Sequence, residues 1–169
     1  MSHQLDNESP TEGLGKASSV KRRVLLVASG GGHWVQLNRL RRAFESYETL
    51  YATTLSGVAT PSGYRPVANI CDASRTEPWK IPVLVLQLLW IICKFRPNFI
   101  VTTGAGPGLI AIRIGKWFGA RTVWIDSMAN SETLSLSGAM AERYADLWLT
   151  QWPHLAESNP KLQFFGRVI

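Results

Sequence analysis

Short apolar runs alternate along this chain with amphipathic segments. The first apolar run, residues 24–28, has the length of one buried strand. Three glycines follow it, and beyond them apolar side chains recur at Leu37, Leu40 and Phe44, the i, i+3, i+7 spacing of one helix face. The pattern therefore predicts a buried strand that turns sharply into a helix.

The same unit returns along the chain. A second glycine-rich turn at residues 104–108 again separates an apolar run from a helical pattern. Repeated units of this kind predict an α/β fold, a Rossmann-like parallel sheet with helices on both faces. Ligands of such sheets gather at the carboxyl ends of the strands. Further strands are predicted at residues 48–55, 64–70, 98–103, 121–126 and 146–150, and further helices at 109–118 and 135–144.

Residues 78–95 form the most apolar stretch. Between Lys80 and Lys94 there is no charge, and only Gln87 is polar. The 13 residues from 81 to 93 are fewer than the roughly 20 that a transmembrane helix needs, yet a soluble surface helix should show a polar stripe. Two interpretations stay open: a helix packed in the core, or a helix that dips into one membrane leaflet.

The membrane interpretation predicts which residues would contact lipid. Tryptophan and lysine favour the level of the headgroups, and leucine and isoleucine favour the acyl chains. The predicted membrane-contacting residues are Trp79, Lys80, Leu84, Leu88, Trp90, Ile91 and Lys94.

The composition fits one ordinary domain. The 169 residues carry 18 Lys and Arg against 12 Asp and Glu, a net charge of +6 that favours an anionic partner. The basic residues are scattered and no nucleic-acid motif is present, so we expect no nucleic-acid partner. Two cysteines and no metal-ligand spacing among the histidines predict neither a disulfide framework nor a metal site. Residues 1–20 are polar and expected to be a disordered tail without a signal peptide, ahead of a single domain at 21–169.

The first glycine turn carries the candidate chemistry. It brings backbone N–H groups to a helix N-terminus, where the dipole favours an anion, and a Cβ would obstruct the close approach of a ligand. It is not a Walker A motif, and Trp34 and Val35 replace the last glycine of a dinucleotide fingerprint. His33 directly follows this turn and is a candidate base or hydrogen-bond donor. The alternatives are a purely structural turn and a histidine that merely fixes it.

Several motifs together resemble a known group of proteins. In sequence order they are Ser29-Gly-Gly-Gly-His33, Thr102-Thr-Gly-Ala-Gly106, Ile125-Asp-Ser127, Leu134-Ser-Leu-Ser137, Ala145-Asp-Leu-Trp148, Gln151-Trp-Pro153 and Phe165-Gly-Arg-Val-Ile169. The chain resembles the membrane-associated, acceptor-side half of split GT-B glycosyltransferases. That group includes the anchor subunit of the dolichol-linked GlcNAc transferase and bacterial polysaccharide proteins of the PssD/CpsF type.

The resemblance implies a function that is shared between two chains. It implies the fold of the N-terminal half of a GT-B enzyme, which holds a lipid-diphosphate-linked sugar acceptor at the cytoplasmic face of a membrane, here a bacterial inner membrane. A partner subunit would bind the UDP-sugar, a substrate rather than a cofactor, and no cofactor is expected. The alternatives are a non-catalytic membrane recruiter of a partner transferase and a soluble nucleotide-binding domain.

The resemblance also assigns candidate residues. His33 and Asp126 are the candidate catalytic bases, although Asp126 stands where many relatives have glutamate and would serve equally as a loop cap. Phe165, Val168 and Ile169 are expected at the partner interface. The residues expected to bind the acceptor phosphates are Gly30, Gly31, Gly32, Gly104, Ala105 and Gly106.

Overall fold

The computed structural model describes residues 21–58, 66–73 and 77–168. In that part of the chain seven strands and five α-helices follow one another. The strands are β1 (Arg23–Ala28), β2 (Glu48–Thr53), β3 (Val67–Asn69), β4 (Phe99–Thr102), β5 (Arg121–Ile125), β6 (Leu147–Thr150) and β7 (Gln163–Phe164). The helices are α1 (Gly32–Arg39), α2 (Ile81–Phe95), α3 (Ala105–Trp117), α4 (Leu136–Ala141) and α5 (Pro153–Glu157), with 3₁₀ turns at Leu40–Phe44 and Pro78–Lys80.

All seven strands pair in parallel, in the order β3-β2-β1-β4-β5-β6-β7. The chain builds the sheet outward from β1 to β3, returns to place β4 beside β1, and then builds outward on the other side. The strand order therefore reverses between β1 and β4, which is where open α/β sheets form their ligand crevice. The predicted Rossmann-like parallel sheet is confirmed.

Two apolar cores lie on opposite faces of this sheet. Successive side chains of a strand alternate between faces. Leu25 and Val27 of β1 pack in the core that α2 and α3 cover, whereas Leu26 packs in the core that contains Trp34 and Leu37 of α1. Burial on both faces explains why residues 24–28 of β1 are apolar without interruption.

Helix α2, which forms most of the apolar stretch, has one buried face and one exposed face. Leu84, Leu88 and Ile91 share one helix face and are buried against α3 and the sheet, with exposed fractions of 0%, 0% and 5%. The prediction that these three residues contact a membrane is therefore wrong, because the core of the domain occupies that face. The opposite face is exposed, and it carries Leu86 and Trp90.

Element boundaries differ from the predicted ones mainly near turns. Helix α3 begins at Ala105 rather than at residue 109, because Gly104 ends the strand turn and Pro107 fits a first helical turn. Pro153 likewise begins α5, which the sequence pattern did not predict. The two-residue strand β7 was not predicted either. The expected disordered tail at 1–20 lies outside the described residues, as do residues 64 and 65 of the strand predicted at 64–70.

Candidate functional site

The two glycine turns lie side by side at the carboxyl edge of the sheet. They follow β1 and β4, which are hydrogen-bonded neighbours with Val27 opposite Thr102. Helices α1 and α3 begin at these turns and pack on opposite faces of the sheet. Within the described residues no side chain caps either helix N-terminus. The first backbone N–H groups of both helices therefore have no side-chain cap among those residues at this edge of the sheet.

His33 ties the two turns together. Its ring Nδ1–H donates to the Thr103 carbonyl oxygen at 2.8 Å, and the Thr103 hydroxyl donates to the His33 carbonyl oxygen at 2.7 Å. A carbonyl oxygen only accepts hydrogen bonds, so Nδ1 carries the proton. In the neutral ring this leaves a lone pair on Nε2. The half-buried imidazole is thus oriented to accept a proton at the junction of the two turns.

Two of the predicted acceptor-binding glycines are closely packed against side chains of other segments. Gly104 has φ +127°, and a Cβ there would lie 2.8 Å from Cε1 of His33. A Cβ at Gly30 would lie 2.8 Å from the side chain of Leu55. Larger residues at these two positions would displace the histidine or the neighbouring loop.

Other glycines of the turns leave open space. A Cβ at Gly32 would meet no atom within 4 Å, and a Cβ at Gly106 would meet only the Ala73 carbonyl oxygen, at 3.9 Å. Gly31 also faces open space, but its φ of +71° favours glycine for conformational reasons. Packing within the described residues therefore does not explain Gly32 or Gly106, and both lie where a ligand would approach. Ala105, between Gly104 and Gly106, is the first residue of α3.

The carboxylate of Asp126 is fully occupied by protein donors. The side chain is 1% exposed. Its Oδ1 accepts hydrogen bonds from Trp124 Nε1 at 3.3 Å and from the Ser135 hydroxyl at 2.7 Å. Its Oδ2 accepts from Asn130 Nδ2 at 3.2 Å and from the Ser135 backbone N–H at 3.1 Å. These contacts fix the loop that leads into α4, so the geometry supports the loop-cap alternative.

A buried pair of glutamines joins distant segments at the same edge. Gln151 Nε2 donates to Gln36 Oε1 at 2.8 Å and to the Asp126 carbonyl oxygen at 2.9 Å. Gln36 Nε2 donates to the Ser127 hydroxyl at 3.2 Å. Both glutamines are buried, since Gln36 is 7% exposed and Gln151 is 1% exposed. The sequence offered one signal for these glutamines, namely polar residues within otherwise buried segments, but neither was predicted as a site residue.

The C-terminal segment returns to this network. The Val168 N–H donates to Gln151 Oε1 at 2.8 Å, and Arg39 Nη1 donates to the Val168 carbonyl oxygen at 3.5 Å. Phe165 is 76% exposed. Ile169, the third predicted interface residue, lies outside the described residues. In the described part of the chain no group of three or more His, Cys, Asp or Glu side chains is placed to hold a metal ion.

Comparison with known proteins gives the family. Residues 67–168 match the model of the family described as "Oligosaccharide biosynthesis protein Alg14 like". The chain is 31% identical over 181 residues to the UDP-N-acetylglucosamine transferase subunit alg14 of Schizosaccharomyces pombe, a match that covers 90% of this chain and 86% of that protein. The chain belongs to the Alg14 family. The human subunit ALG14 is 28% identical over 178 residues and is covered to 82%.

Other matches are shorter. The mouse subunit ALG14 is 28% identical over 85 residues, which cover 47% of this chain. Those residues span 39% of the mouse protein, and the match to the Eremothecium gossypii subunit spans 35% of that protein. The chain therefore spans only about two-fifths of the length of these Alg14 relatives.

Solved structures share the fold. MurG of Acinetobacter baumannii superposes with a TM-score of 0.63 at 12% identity, covering 79% of this chain and 43% of MurG. UDP-N-acetylglucosamine 2-epimerase of Rickettsia bellii superposes with a TM-score of 0.67 at 10% identity, covering 88% of this chain and 45% of the epimerase. This Alg14-family chain thus corresponds to about half of a GT-B-type protein, as the sequence predicted.

Proposed function

We propose that this chain is the acceptor-side subunit of a two-chain glycosyltransferase that moves N-acetylglucosamine from its UDP-linked form to a lipid-diphosphate-linked sugar. The observation that carries the proposal is the position of His33, held between two uncapped helix N-termini at the point where the strand order reverses. The names of the Alg14 relatives, transferase subunits for UDP-N-acetylglucosamine, support the donor.

Each part of the crevice has one role in this proposal. Nε2 of His33 takes the proton from the acceptor hydroxyl, a contribution typically worth about 10²–10⁴-fold in rate. The N–H groups at the starts of α1 and α3 hold the acceptor diphosphate, near Gly32 and Gly106. The UDP-sugar lies mainly on the partner subunit, and no cofactor takes part.

The partner subunit would dock beside this crevice. Phe165, which follows β7 at the same carboxyl edge, offers an exposed aromatic side chain, and Val168 is tied to that edge through Gln151. A donor-binding domain placed against these residues would cover the crevice at the carboxyl edge of the sheet. The active site of the proposed enzyme therefore forms only when both chains are present.

The exposed face of α2 would attach the chain to a membrane surface. The exposed fractions of Trp79, Leu86 and Trp90 are 67%, 65% and 63%, and tryptophan and lysine at both helix ends suit the headgroup level. By length and composition alone Pro78–Phe95, mean hydropathy 1.4, could cross a membrane, although core helices pass the same test. Since Leu84 and Leu88 pack in the core, we propose that α2 lies along the membrane surface, on its cytoplasmic side.

The kind of membrane follows from neither the fold nor the relatives. The Alg14 relatives named above come from mammals and fungi. They give no support to the bacterial inner membrane that the resemblance implied, which stays a prediction.

A reconstituted transfer assay tests the proposed activity. It combines the purified chain, a candidate donor-binding subunit, membranes that carry the lipid-linked monosaccharide, and radiolabelled UDP-sugars. We expect transfer from UDP-N-acetylglucosamine only when both chains are present. Full transfer by the donor-binding subunit alone would contradict the proposal.

A second role, membrane recruitment without catalysis, is favoured by the apolar face of α2. The same assay separates it from the first, because a pure recruiter needs no histidine at the crevice. Transfer by the two-chain complex that survives both His33→Ala and Asp126→Ala unchanged would favour the recruiter role.

Vesicle flotation tests the membrane attachment. The Leu86→Ser/Trp90→Ser variant removes two exposed apolar side chains of α2, and Val35→Ser/Phe165→Ser is the matched control elsewhere on the surface. We expect the first variant to lose vesicle binding and the control to keep it. Equal binding by wild type and both variants would contradict attachment through α2.

A further inference from the structure

A cavity of about 840 Å³ lies at the amino edge of the sheet, away from the crevice that carries His33. It opens between the C-terminal ends of α2 and α3 and the starts of β1, β4 and β5. Its lining includes Ile92 and Cys93 from the last turn of α2, and Phe118 and Gly119 from the end of α3. Nothing in the proposed transfer reaction uses this cavity.

Three arginines line the cavity: Arg22, Arg96 and Arg121. All three are exposed, no described carboxylate lines the cavity with them, and none forms an ion pair within the described part of the chain. The C-terminal ends of α2 and α3 each contribute about half a negative charge, which by itself attracts cations. Three full positive charges exceed that sum, so the residues that line the cavity carry a net positive charge that attracts an anion.

The surroundings of the cavity indicate which anion. Trp117 and Phe118, which precede Gly119 at the end of α3, are 74% and 53% exposed. Two tryptophans of this end carry a stacked cation, with Lys94 Nζ 4.8 Å from the Trp90 ring centre and the Arg113 guanidinium 5.8 Å from the Trp117 ring centre. Exposed tryptophans with adjacent cations are typical of the headgroup level of a membrane. A soluble anion would gain nothing from these exposed aromatic rings, whereas a lipid presents its phosphate next to apolar chains.

We propose that Arg22, Arg96 and Arg121 form a pocket for the phosphate of an acidic phospholipid headgroup. Guanidinium groups bind phosphate oxygens through paired N–H donors, which suits this role better than point charges would. The inference rests on the membrane attachment proposed above and adds a lipid preference to it. Attachment then has two parts: the apolar face of α2, and a charged pocket at the end where α2 terminates.

The test compares vesicles of phosphatidylcholine alone with vesicles that also contain phosphatidylglycerol. The Arg96→Gln/Arg121→Gln variant removes two charges from the cavity. Arg41→Gln/Arg42→Gln removes two charges on the other face of the sheet and is the matched control, because net charge falls equally in both. Each arginine near an anionic surface contributes about fivefold to binding, so we expect the cavity variant to lose roughly 25-fold on phosphatidylglycerol vesicles. It should bind phosphatidylcholine vesicles as the wild type does.

Each outcome of this test either supports or overturns the proposed phosphate pocket. Loss of the phosphatidylglycerol response in the cavity variant, with the response kept in the control, supports the pocket. A response that persists in the cavity variant, or that falls equally in the control, overturns it. If Arg96 and Arg121 bind glycerol phosphate in solution and the wild type ignores both kinds of vesicle, the site takes a free phosphate and the lipid assignment is overturned. Because the wild type would then bind neither kind of vesicle, that last outcome would also contradict the membrane attachment proposed above. Failure of the pocket alone is distinguishable from it, since vesicle binding would remain.

Discussion

The two edges of this sheet are held together in different ways. At the carboxyl edge, buried polar side chains from segments far apart in sequence bond to one another, as Gln36 and Gln151 do across 115 positions. At the amino edge, exposed side chains cap the strand starts. Asn98 Oδ1 accepts the Arg23 N–H at 2.8 Å, and Asp146 Oδ2 accepts the Thr122 N–H at 2.8 Å.

This difference decides what a substitution costs. A buried polar group that loses its partner bears the full cost of desolvation, about 1–3 kcal/mol and more for charged groups. An exposed group exchanges its partner for water at little cost. The carboxyl edge should therefore tolerate few substitutions. A substitution there that lowers activity without lowering stability identifies a residue that takes part in the reaction. The amino edge should tolerate many.

The largest expected effect comes from the His33→Ala substitution at the carboxyl edge. If Nε2 removes the proton from the acceptor hydroxyl, transfer by the two-chain complex should fall about 10²–10⁴-fold. This fall is measured by comparing the initial transfer rates of variant and wild-type complexes at saturating UDP-sugar. The matched control is His154→Ala, since the exposed His154 ring likewise donates to a backbone carbonyl, that of Ser131 at 2.7 Å. Equal rates for both variants would remove His33 from the mechanism.

The next effect is on stability, from Asp126→Asn. The asparagine amide has the size of the carboxylate, but its N–H₂ group is a donor. It would therefore face the donors of Ser135 and Asn130 without accepting their hydrogen bonds. Losing charge-assisted hydrogen bonds should lower the free energy of unfolding by about 1.5–3 kcal/mol. Urea denaturation measures this change.

The transfer rate of the same variant separates the two roles of Asp126. A structural carboxylate predicts that the folded variant loses less than about tenfold in rate. A general base predicts a loss of at least about 10²-fold in the rate of the folded variant. The second pattern would show that Asp126 reaches the acceptor after all.

The sequence predicted the local parts of the carboxyl edge. The strand, the three glycines and His33 are consecutive, so periodicity and residue type were enough to place them. The partner of His33 could not be read in the same way, because Thr103 comes into contact only when β1 pairs with β4. The Gln36–Gln151 contact depends in addition on the positions of α1 and β6.

Helix α2 shows a second limit of sequence reasoning. Its residues are apolar nearly all round, so no periodicity separates Leu84 and Leu88, which are buried, from Leu86 and Trp90, which are exposed. Only the packing of α3 against one side assigns the faces. The three membrane-contacting residues that the sequence analysis misplaced, Leu84, Leu88 and Ile91, all lie on the α3 side.

A smaller effect on activity is expected from Gly32→Ala. The new methyl group meets no protein atom within 4 Å, and alanine in place of glycine favours a helix by up to about 1 kcal/mol. Thermal unfolding should thus show equal or higher stability. If the acceptor diphosphate sits at this turn, transfer should still fall, by about tenfold or 1.4 kcal/mol.

Gly106→Ala is the matched variant on the second turn. Its Cβ also has room, with the nearest atom at 3.9 Å. A rate loss in one variant but not the other identifies which helix N-terminus the acceptor approaches. Full activity in both would place the acceptor elsewhere on the edge.

The smallest effect is expected at the amino edge, from Asp146→Asn. Partial burial of Asp146 acts to raise its pKa, but hydrogen bonds from Lys116 and Thr122 outweigh it and lower the pKa below the ordinary 3.8. The lowered pKa means that the carboxylate stabilises the fold fully above pH 3.8, and that this contribution is lost as the pH falls through the lower folded value. Both side chains of the ion pair are more than a third exposed, so solvent screens the pair and the gain stays below about 1 kcal/mol. Urea unfolding of wild type and variant should differ slightly at neutral pH and converge in acid. A difference as large as that of Asp126→Asn would contradict the contrast between the two edges.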